Sequence, residues 1–189
     1  MTKLTCLWGM VLTVLAAPVT ATTLSFATPA AAIRVGDNFT LDVLVAQAPD
    51  LYAFQFDIAF DPAIIQATTL LEGDFLSAGG RATFFLPGTI DNLAGTVSFT
   101  ADTLVGPGPA VTGDGLLVHL SFRATAGGQS ALSFGNVVLL DSTLTELPTT
   151  SLASATHVVS VPEPASMALF GLGLAVVMAG ARRRMDKRG

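Results

Sequence analysis

The stretches NFTLDVLVA (residues 38–46) and AFQFDIAF (residues 53–60) decide the fold of this chain. In both, large apolar side chains alternate with small or polar ones, which is the period-two pattern of a β-strand with one buried face. A third stretch, LLVHLSFR (residues 116–123), shows the same alternation. The side chains predicted to face the core are Phe39, Leu41, Val43, Val45, Phe54, Phe56, Ile58, Phe60, Leu116, Val118, Leu120 and Phe122.

Segments rich in Gly, Pro, Asn and Asp separate these stretches, and such residues favour tight turns. Further short strands are predicted near residues 24–27, 82–86, 95–101, 130–134, 137–140 and 154–160. One helical turn is predicted at residues 62–66, with Asp61 as its N-cap. Residues 143–154 are rich in Thr and Ser and are predicted to form a linker in part. Because no long amphipathic helix interrupts strands at this spacing, the pattern predicts an all-β sandwich.

The N-terminus has the pattern of a secretory signal peptide over residues 1–21. Lys3 precedes an apolar run over residues 7–17, and small residues up to Ala21 suit cleavage after that alanine. Cys6 is the only cysteine and leaves with the signal peptide. The mature chain is therefore predicted to have no disulfide, no thiol nucleophile and no thiolate metal site.

The C-terminus, residues 161–189, has three physical features in sequence. A proline-rich break is followed by an apolar stretch over residues 165–181, about 26 Å of helix, which is enough to span a bilayer. A basic cluster then holds the far end in the cytoplasm. The break is Pro162, Glu163 and Pro164, and the basic cluster is Arg182, Arg183 and Arg184. Chemistry alone predicts a transmembrane anchor with the domain outside.

Residues 22–160 remain as one domain, which is strongly acidic. They carry three arginines against twelve carboxylates, a net charge of −9, whereas the whole chain carries −5. Such a domain repels nucleic acid and anionic lipid, so we expect no nucleic-acid partner. The charge suits a solvated extracellular module.

The order Pro162-Glu163-Pro164, short apolar helix and arginine cluster resembles the PEP-CTERM sorting signal of Gram-negative bacteria. The resemblance implies that the helix is temporary and that an exosortase cuts near the motif, after signal peptidase has acted at the N-terminus. It also implies delivery through the inner membrane to the cell surface or the extracellular matrix. The family is associated with exopolysaccharide and with biofilm or floc formation.

A second resemblance covers about residues 24–160. The run VGDNFTLDVLVAQAPDLYAFQFDIAFDPAIIQATTLLEGDFL (residues 35–76) and the run GDGLLVHLSFRATAGGQSALSF (residues 113–134) are similar to the two halves of a cohesin domain. The resemblance implies a jelly-roll sandwich of about nine strands, similar in fold to some carbohydrate-binding modules. Cohesins bind dockerins through one sheet face. The positions that match the polar pair and the acidic residue of that face are Ala53, Gln55 and Ala101.

Several classes of function remain to be weighed. The domain is interpreted as a non-catalytic module that binds a protein or the exopolysaccharide matrix. The alternatives are a carbohydrate-binding module for polysaccharide binding or catabolism, and a dockerin-binding scaffold component. A sugar platform usually needs exposed Trp or Tyr, whereas Trp8 belongs to the signal peptide and Tyr52 is the only tyrosine. Phe84 and Phe85 are adjacent, so one of the two should point outward.

No enzymatic activity is expected. His119 falls on the outward side of its strand and His157 in the last strand or tail, so both are interpreted as solvated. No protein metal site and no cofactor are predicted. Calcium is the one ion left open, because turn aspartates could meet through folding. The pairs considered are Asp102 with Asp114 and Asp61 with Asp74. The ligand-binding residues are unknown from the sequence.

Overall fold

The computed structural model describes residues 22–27 and 31–160. The predicted signal peptide with Ala21, the motif Pro162–Pro164, the apolar stretch 165–181 and the arginine cluster lie outside the described residues. No helix within the described part of the chain is long and apolar enough to cross a membrane.

Two β-sheets pack face to face as an all-β sandwich. In chain order the strands are Thr22–Phe26 (β1), Ile33–Arg34 (β2), Asn38–Leu51 (β3), Ala53–Ala59 (β4), Ile65–Glu72 (β5), Thr89–Asp91 (β6), Thr96–Thr103 (β7), Val111–Ala124 (β8), Gly128–Leu140 (β9), Thr149–Leu152 (β10) and Ala155–Ser160 (β11). One sheet has the order β10-β1-β3-β8-β5, and the other has the order β2-β11-β9-β4-β7-β6. Pairing is antiparallel except for β1 with β10 and β2 with β11.

The three alternating stretches form β3, β4 and part of β8, and the predicted faces point inward except at the start of the third stretch. There Leu116, predicted to face the core, is only half-buried, and Leu117 is buried in its place because a bulge shifts the register between β3 and β8. Phe56, Leu41 and Phe122 are completely buried, and the partner strands add Leu132 and Leu139 to the same core. The ring centroids of Phe56 and Phe134 lie 5.6 Å apart in an edge-on contact, which is a favoured arrangement for aromatic pairs. The alternation therefore predicted these three strands and their register up to the bulge at Leu116.

Several predicted elements differ from the structure. The single helical turn predicted at residues 62–66 forms, with Ile64 and Ile65 donating to the Asp61 carbonyl, but it is shorter than predicted because β5, a strand that was not predicted, begins at Ile65. The two strands predicted at 130–134 and 137–140 are one strand, β9. Residues 82–86 pair with β7 only through isolated bridges. The described part of the chain thus has eleven strands rather than about nine, since short edge strands are added.

The segment predicted as a partial linker is also structured. Asp141 Oδ1 accepts hydrogen bonds from the backbone N–H groups of Thr143 and Thr145, at 2.8 Å each, which closes a tight turn. The hydrogen bond from the Thr143 hydroxyl contributes most to holding the pKa of Asp141 below its usual value, and the backbone N–H bonds add to this effect. Strand β10 follows at the edge of the five-stranded sheet. Local capping and pairing with β1 replace the expected loose connection.

The interpretation of His157 as a solvated side chain is wrong. The residue lies on β11 with 4% of its surface exposed, and its Nε2 has no hydrogen-bond partner. Burial lowers the pKa of His157, because the protonated imidazole would lose its hydration. His119 does face outward as predicted, and 41% of its side chain is exposed.

A glycine contact joins the two sequence runs of the second resemblance. A Cβ at Gly73 would lie 2.2 Å from the carbonyl oxygen of Leu116 on β8. A Cβ at Gly115 would lie 2.2 Å from the ring of Phe75. The Gly73–Leu76 turn therefore packs directly on the start of β8, and only glycine fits at either position without a shift of the chain.

Candidate functional site

An apolar patch covers the outer face of the six-stranded sheet where β4, β7 and β9 meet residues 84–86. Phe84 is 59% exposed, Phe99 is 53% exposed and Leu86 is 38% exposed. They surround a shallow depression of about 210 Å³ whose floor is small or aliphatic. The other residues that line it are Ala53, Phe54, Gln55, Ala101, Asp102, Thr103, Val138 and Leu140. We call this surface the outer patch.

The outward position of Phe99 depends on a bulge in β7. Strict alternation from the buried Val97 would place Phe99 inward and Asp102 outward. Two residues of β7, Ser98 and Phe99, instead oppose the single residue Asp57 of β4, and Phe99 has a φ of 60°. The extra residue reverses the faces of all later residues, so Phe99 is exposed and Asp102 is buried.

Asp57 holds this bulge and a second one on the opposite side of β4. Its Oδ1 accepts a hydrogen bond from the backbone N–H of Phe99 at 2.7 Å, and its Oδ2 accepts one from Asn136 Nδ2 at 2.5 Å. Asn136 lies at the bulge in β9 and has a φ of 47°. One carboxylate at the centre of the sheet therefore fixes the backbone on both flanking strands and positions the Phe99 ring.

We expect Asp57→Ala to lower the free energy of unfolding by about 1–3 kcal/mol, because it removes two hydrogen bonds to a charged acceptor. Urea unfolding monitored by circular dichroism measures the change. Asp74→Ala, at an exposed position in the Gly73–Leu76 turn, serves as the control and should change stability by less than about 0.5 kcal/mol. Equal effects of the two substitutions would show that the bulges hold without Asp57.

A histidine–aspartate pair lies on the outer face of the other sheet. Asp42 on β3 and His119 on β8 are direct cross-strand neighbours, and Asp42 Oδ1 lies 2.6 Å from His119 Nδ1. This contact orients the imidazole as in a general base. Among the hydrogen bonds of the described residues, no hydroxyl is joined to the other ring nitrogen.

A carboxyl pair lies inside the open edge of the sandwich, behind the outer patch. Asp102 on β7 is 3% exposed and Glu72 ends β5 in the other sheet. Burial raises the pKa of Asp102 to about 7, and the negative charge of Glu72 adds to the effect. Thr83 donates from its hydroxyl to Glu72 Oε1 at 2.5 Å. The β7 bulge is the reason that an aspartate enters this interior.

One member of each aspartate pair considered for calcium is engaged elsewhere. Asp114 Oδ1 accepts from the Gln47 N–H at 2.7 Å, and Asp61 Oδ1 accepts from the Ala63 N–H at 2.9 Å. Across residues 22–27 and 31–160 no group of three or more His, Cys, Asp or Glu side chains is placed to hold a metal ion. The sequence did not indicate the pairing of Asp102 with Glu72, because it depends on the bulge.

The model of the cohesin domain matches residues 22–159, and that of the PEP-CTERM protein-sorting motif matches residues 160–184. The first match covers most of the chain. The chain belongs to the cohesin domain family. The sorting motif marks it as an exported protein directed to the cell envelope or surface of a Gram-negative bacterium.

Solved cohesin structures share this fold at low sequence identity. A non-cellulosomal cohesin from the archaeon Archaeoglobus fulgidus is 15% identical, with a TM-score of 0.58 over 78% of this chain and 97% of that one. The sixth cohesin of scaffoldin B from Acetivibrio cellulolyticus, solved in complex with a Cel5 dockerin, is 15% identical, with a TM-score of 0.58 over 75% of this chain and 100% of that one.

A cohesin module from a family 33 glycoside hydrolase of Clostridium perfringens is 10% identical, with a TM-score of 0.58 over 75% of this chain and 97% of that one. Among curated protein sequences, none is significantly similar to this chain. These likenesses show the cohesin fold and no shared ligand.

The three positions carried over from the cohesin family lie together on the outer patch. Ala53 and Gln55 on β4 and Ala101 on β7 all line its depression, and Gln55 and Ala101 are cross-strand partners. Phe84 points outward while Phe85 packs against the core, as their adjacency predicted. Phe99 was missed, because only the bulge brings it to this face. The only sequence feature that could have indicated the bulge is Asp57, a hydrogen-bond acceptor in the middle of a strand.

Proposed function

We propose that this cohesin domain is a non-catalytic binding module that docks an extracellular protein through the outer patch. The observation that carries the proposal is the exposure of two phenylalanine rings, Phe84 and Phe99, around one apolar depression. Exposed apolar clusters of this kind mark interaction sites, and aromatic side chains dominate the binding energy of protein interfaces. The Asp57 carboxylate pre-positions one of the rings, which reduces the entropy lost on binding.

The partner should present apolar side chains rather than a hydrogen-bonding set. At the positions where the family resemblance implies a polar pair and an acidic residue, this chain has Ala53, Gln55 and Ala101. Only one of these three side chains can hydrogen-bond. The Acetivibrio cellulolyticus cohesin binds a dockerin. A dockerin-like partner is proposed for this chain only if its contact surface is apolar.

Matrix polysaccharide is the second candidate ligand, favoured by the same two exposed rings. A flat aromatic ring can cover the apolar face of a sugar. The outer patch, however, surrounds these rings with Leu86, Val138 and Leu140, and hydrogen-bonding groups are few there. Sugars need such groups because their hydroxyls lose water on binding. A protein surface fits the patch better, whether the role is adhesion, scaffolding or biofilm matrix assembly.

The targeting segments complete the proposal. We propose cleavage by signal peptidase after Ala21 and by an exosortase near Pro162–Pro164, with residues 165–181 as a temporary transmembrane helix and the Arg182–Arg184 cluster as its cytoplasmic stop. The chain is then divided into residues 1–21, 22–160 and 161–189. The match of the sorting motif to residues 160–184 supports the last part. The released domain would act at the cell surface or in the matrix.

A capture experiment tests the docking surface. Immobilised full-length chain in mild detergent is exposed to surface and matrix extracts of the source organism, with calcium and then with chelator. We expect bound protein whose capture falls by about 10-fold or more for Phe84→Ser and for Phe99→Ser, since a central aromatic contributes about 2 kcal/mol or more.

Leu71→Ser is the matched control, because Leu71 is 58% exposed but belongs to the five-stranded sheet. It should leave capture unchanged. Competition with soluble oligosaccharides separates the two ligand classes, since a protein partner stays bound and a polysaccharide is displaced. Capture that survives both phenylalanine substitutions would place docking on another surface.

A further inference from the structure

Two acidic side chains from opposite sheets meet inside the sandwich with no cation beside them. Glu72 ends the edge strand β5, and Asp102 points inward from β7, so the pair bridges the gap between the sheets. Within the described part of the chain, the salt bridges contain neither carboxylate, and Arg81 directs its guanidinium to the Pro109 carbonyl. A buried Asp102 carboxylate beside the half-buried Glu72 carboxylate is costly without compensation, so a positive partner would stabilise the site.

One carboxylate oxygen of the pair, Asp102 Oδ1, has no hydrogen-bond partner. Glu72 Oε1 accepts from the Thr83 hydroxyl. The Asp102 carboxyl, which accepts from the Thr103 backbone, is near enough to Glu72 that the charge of Glu72 adds to the effect of burial in raising the pKa of Asp102. Asp102 Oδ1 nevertheless has no partner, although Asp102 is 3% exposed. A single proton shared between the two carboxyls would join one oxygen of each and still leave Oδ1 bare. A metal ion can contact several oxygens at once.

We propose that Glu72, Asp102 and the Thr83 hydroxyl bind a calcium ion that ties the edges of the two sheets together. Hard oxygen donors are the ligands that calcium takes in proteins, and its six to eight ligands can include backbone carbonyls and water. Magnesium is less suited, because it requires a near-ideal octahedron and gives up its water reluctantly. An affinity in the range of about 10⁻⁴–10⁻³ M, typical of extracellular modules, would keep the site filled outside the cell.

The Glu72 side of the site is reachable from solvent, and the site does not depend on the docking proposal. Glu72 lines an open groove of about 330 Å³ together with Asp74, Ser77 and His119. These are the ionisable and polar groups that face Glu72 from outside, and His119 is already paired with Asp42. Asp102 also borders the depression of the outer patch, but neither exposed phenylalanine ring is a ligand of the proposed ion. Loss of one site would not by itself imply loss of the other.

Thermal unfolding with and without calcium tests the site. The full-length chain in non-ionic detergent is heated at pH 8 with either 10 mM calcium or chelator, and unfolding is followed by circular dichroism. If calcium exceeds its Kd about tenfold, the folding equilibrium shifts about tenfold and Tm should rise by roughly 3–8 °C. Isothermal titration with calcium alone should give one site per chain.

Asp102→Asn and Glu72→Gln should each abolish the calcium-dependent rise in Tm. Asp102→Asn should be at least as stable as the wild type in chelator, because it removes a buried charge next to Glu72. Glu146→Gln, which removes an exposed charge, is the control and should keep the full rise. A wild-type Tm that ignores calcium but rises when the pH falls from 8 to 6 would overturn the proposal, because the pair would then hold only a proton. A calcium effect that persists in Asp102→Asn would also overturn it.

Discussion

Phe56→Ala is expected to lower the free energy of unfolding by about 3–5 kcal/mol, a large part of the stability of a domain of this size. The Phe56 ring is completely buried at the centre of β4 and lies between two other rings. Its centroid is 5.4 Å from that of Phe54 and 5.6 Å from that of Phe134. Removing it leaves a cavity that two rigid sheets cannot close.

Equilibrium unfolding in urea measures this effect, and Gln55→Ala is the matched control on the preceding residue. Because Gln55 faces the outer side of the same strand, its truncation should cost less than about 0.5 kcal/mol. The slope of free energy against urea should stay the same if both variants unfold in two states. A larger loss for Gln55→Ala than for Phe56→Ala would mean that the register of β4 is displaced by one residue.

Replacing Pro162, Glu163 and Pro164 by alanine is expected to block delivery of the chain to the cell surface. Without the motif, an exosortase has no recognition sequence, and the apolar stretch over residues 165–181 with its arginine cluster should stay in the inner membrane. Alanine also removes the two fixed proline φ angles and allows the helix to extend backwards, which strengthens the anchor.

Fractionation of cells that express a tagged chain measures this block. The wild type should appear at the surface or in the medium without its C-terminal segment, and the triple-alanine variant should appear at full length, minus signal peptide, in the inner membrane. Conversion of Ser160 to alanine, just before the motif, is the control and should leave delivery unchanged. Surface delivery of the variant at the wild-type level would contradict exosortase processing at this motif.

The core of the sandwich could be predicted from the sequence because its signals are local. Alternation in residues 38–46 and 53–60 fixes which side chains turn inward, since successive residues of a strand point to opposite faces. The same reasoning placed His119 outward and set Phe84 and Phe85 on opposite faces, as the structure confirms. The family and the sorting motif could be recognised from short ordered runs for a similar reason, because each run is contiguous.

The predictions failed mainly where pairing between strands distant in sequence decides the local structure. His157 was interpreted as solvated, yet pairing of β11 with β9 covers it. Strand β5 was not predicted; the helical turn predicted at residues 62–66 ends at Ile64, because the following residues pair with β8. In both places the local sequence preference is weak, and pairing with a strand far away in the chain determines the structure.

The sequence by itself determined most of the long strands, their inward faces, the acidic charge and the sorting motif, because these depend on neighbouring residues and composition. Only the tertiary structure decided where a bulge reverses the inward and outward faces of a strand. The Asp57 carboxylate on β4 stabilises a bulge on β7, 42 residues later in the chain, and that bulge exposes Phe99 while it buries Asp102 beside Glu72. Both proposed sites thus arise from one cross-strand contact, which depends on the order of strands in the sheet and not on any local pattern.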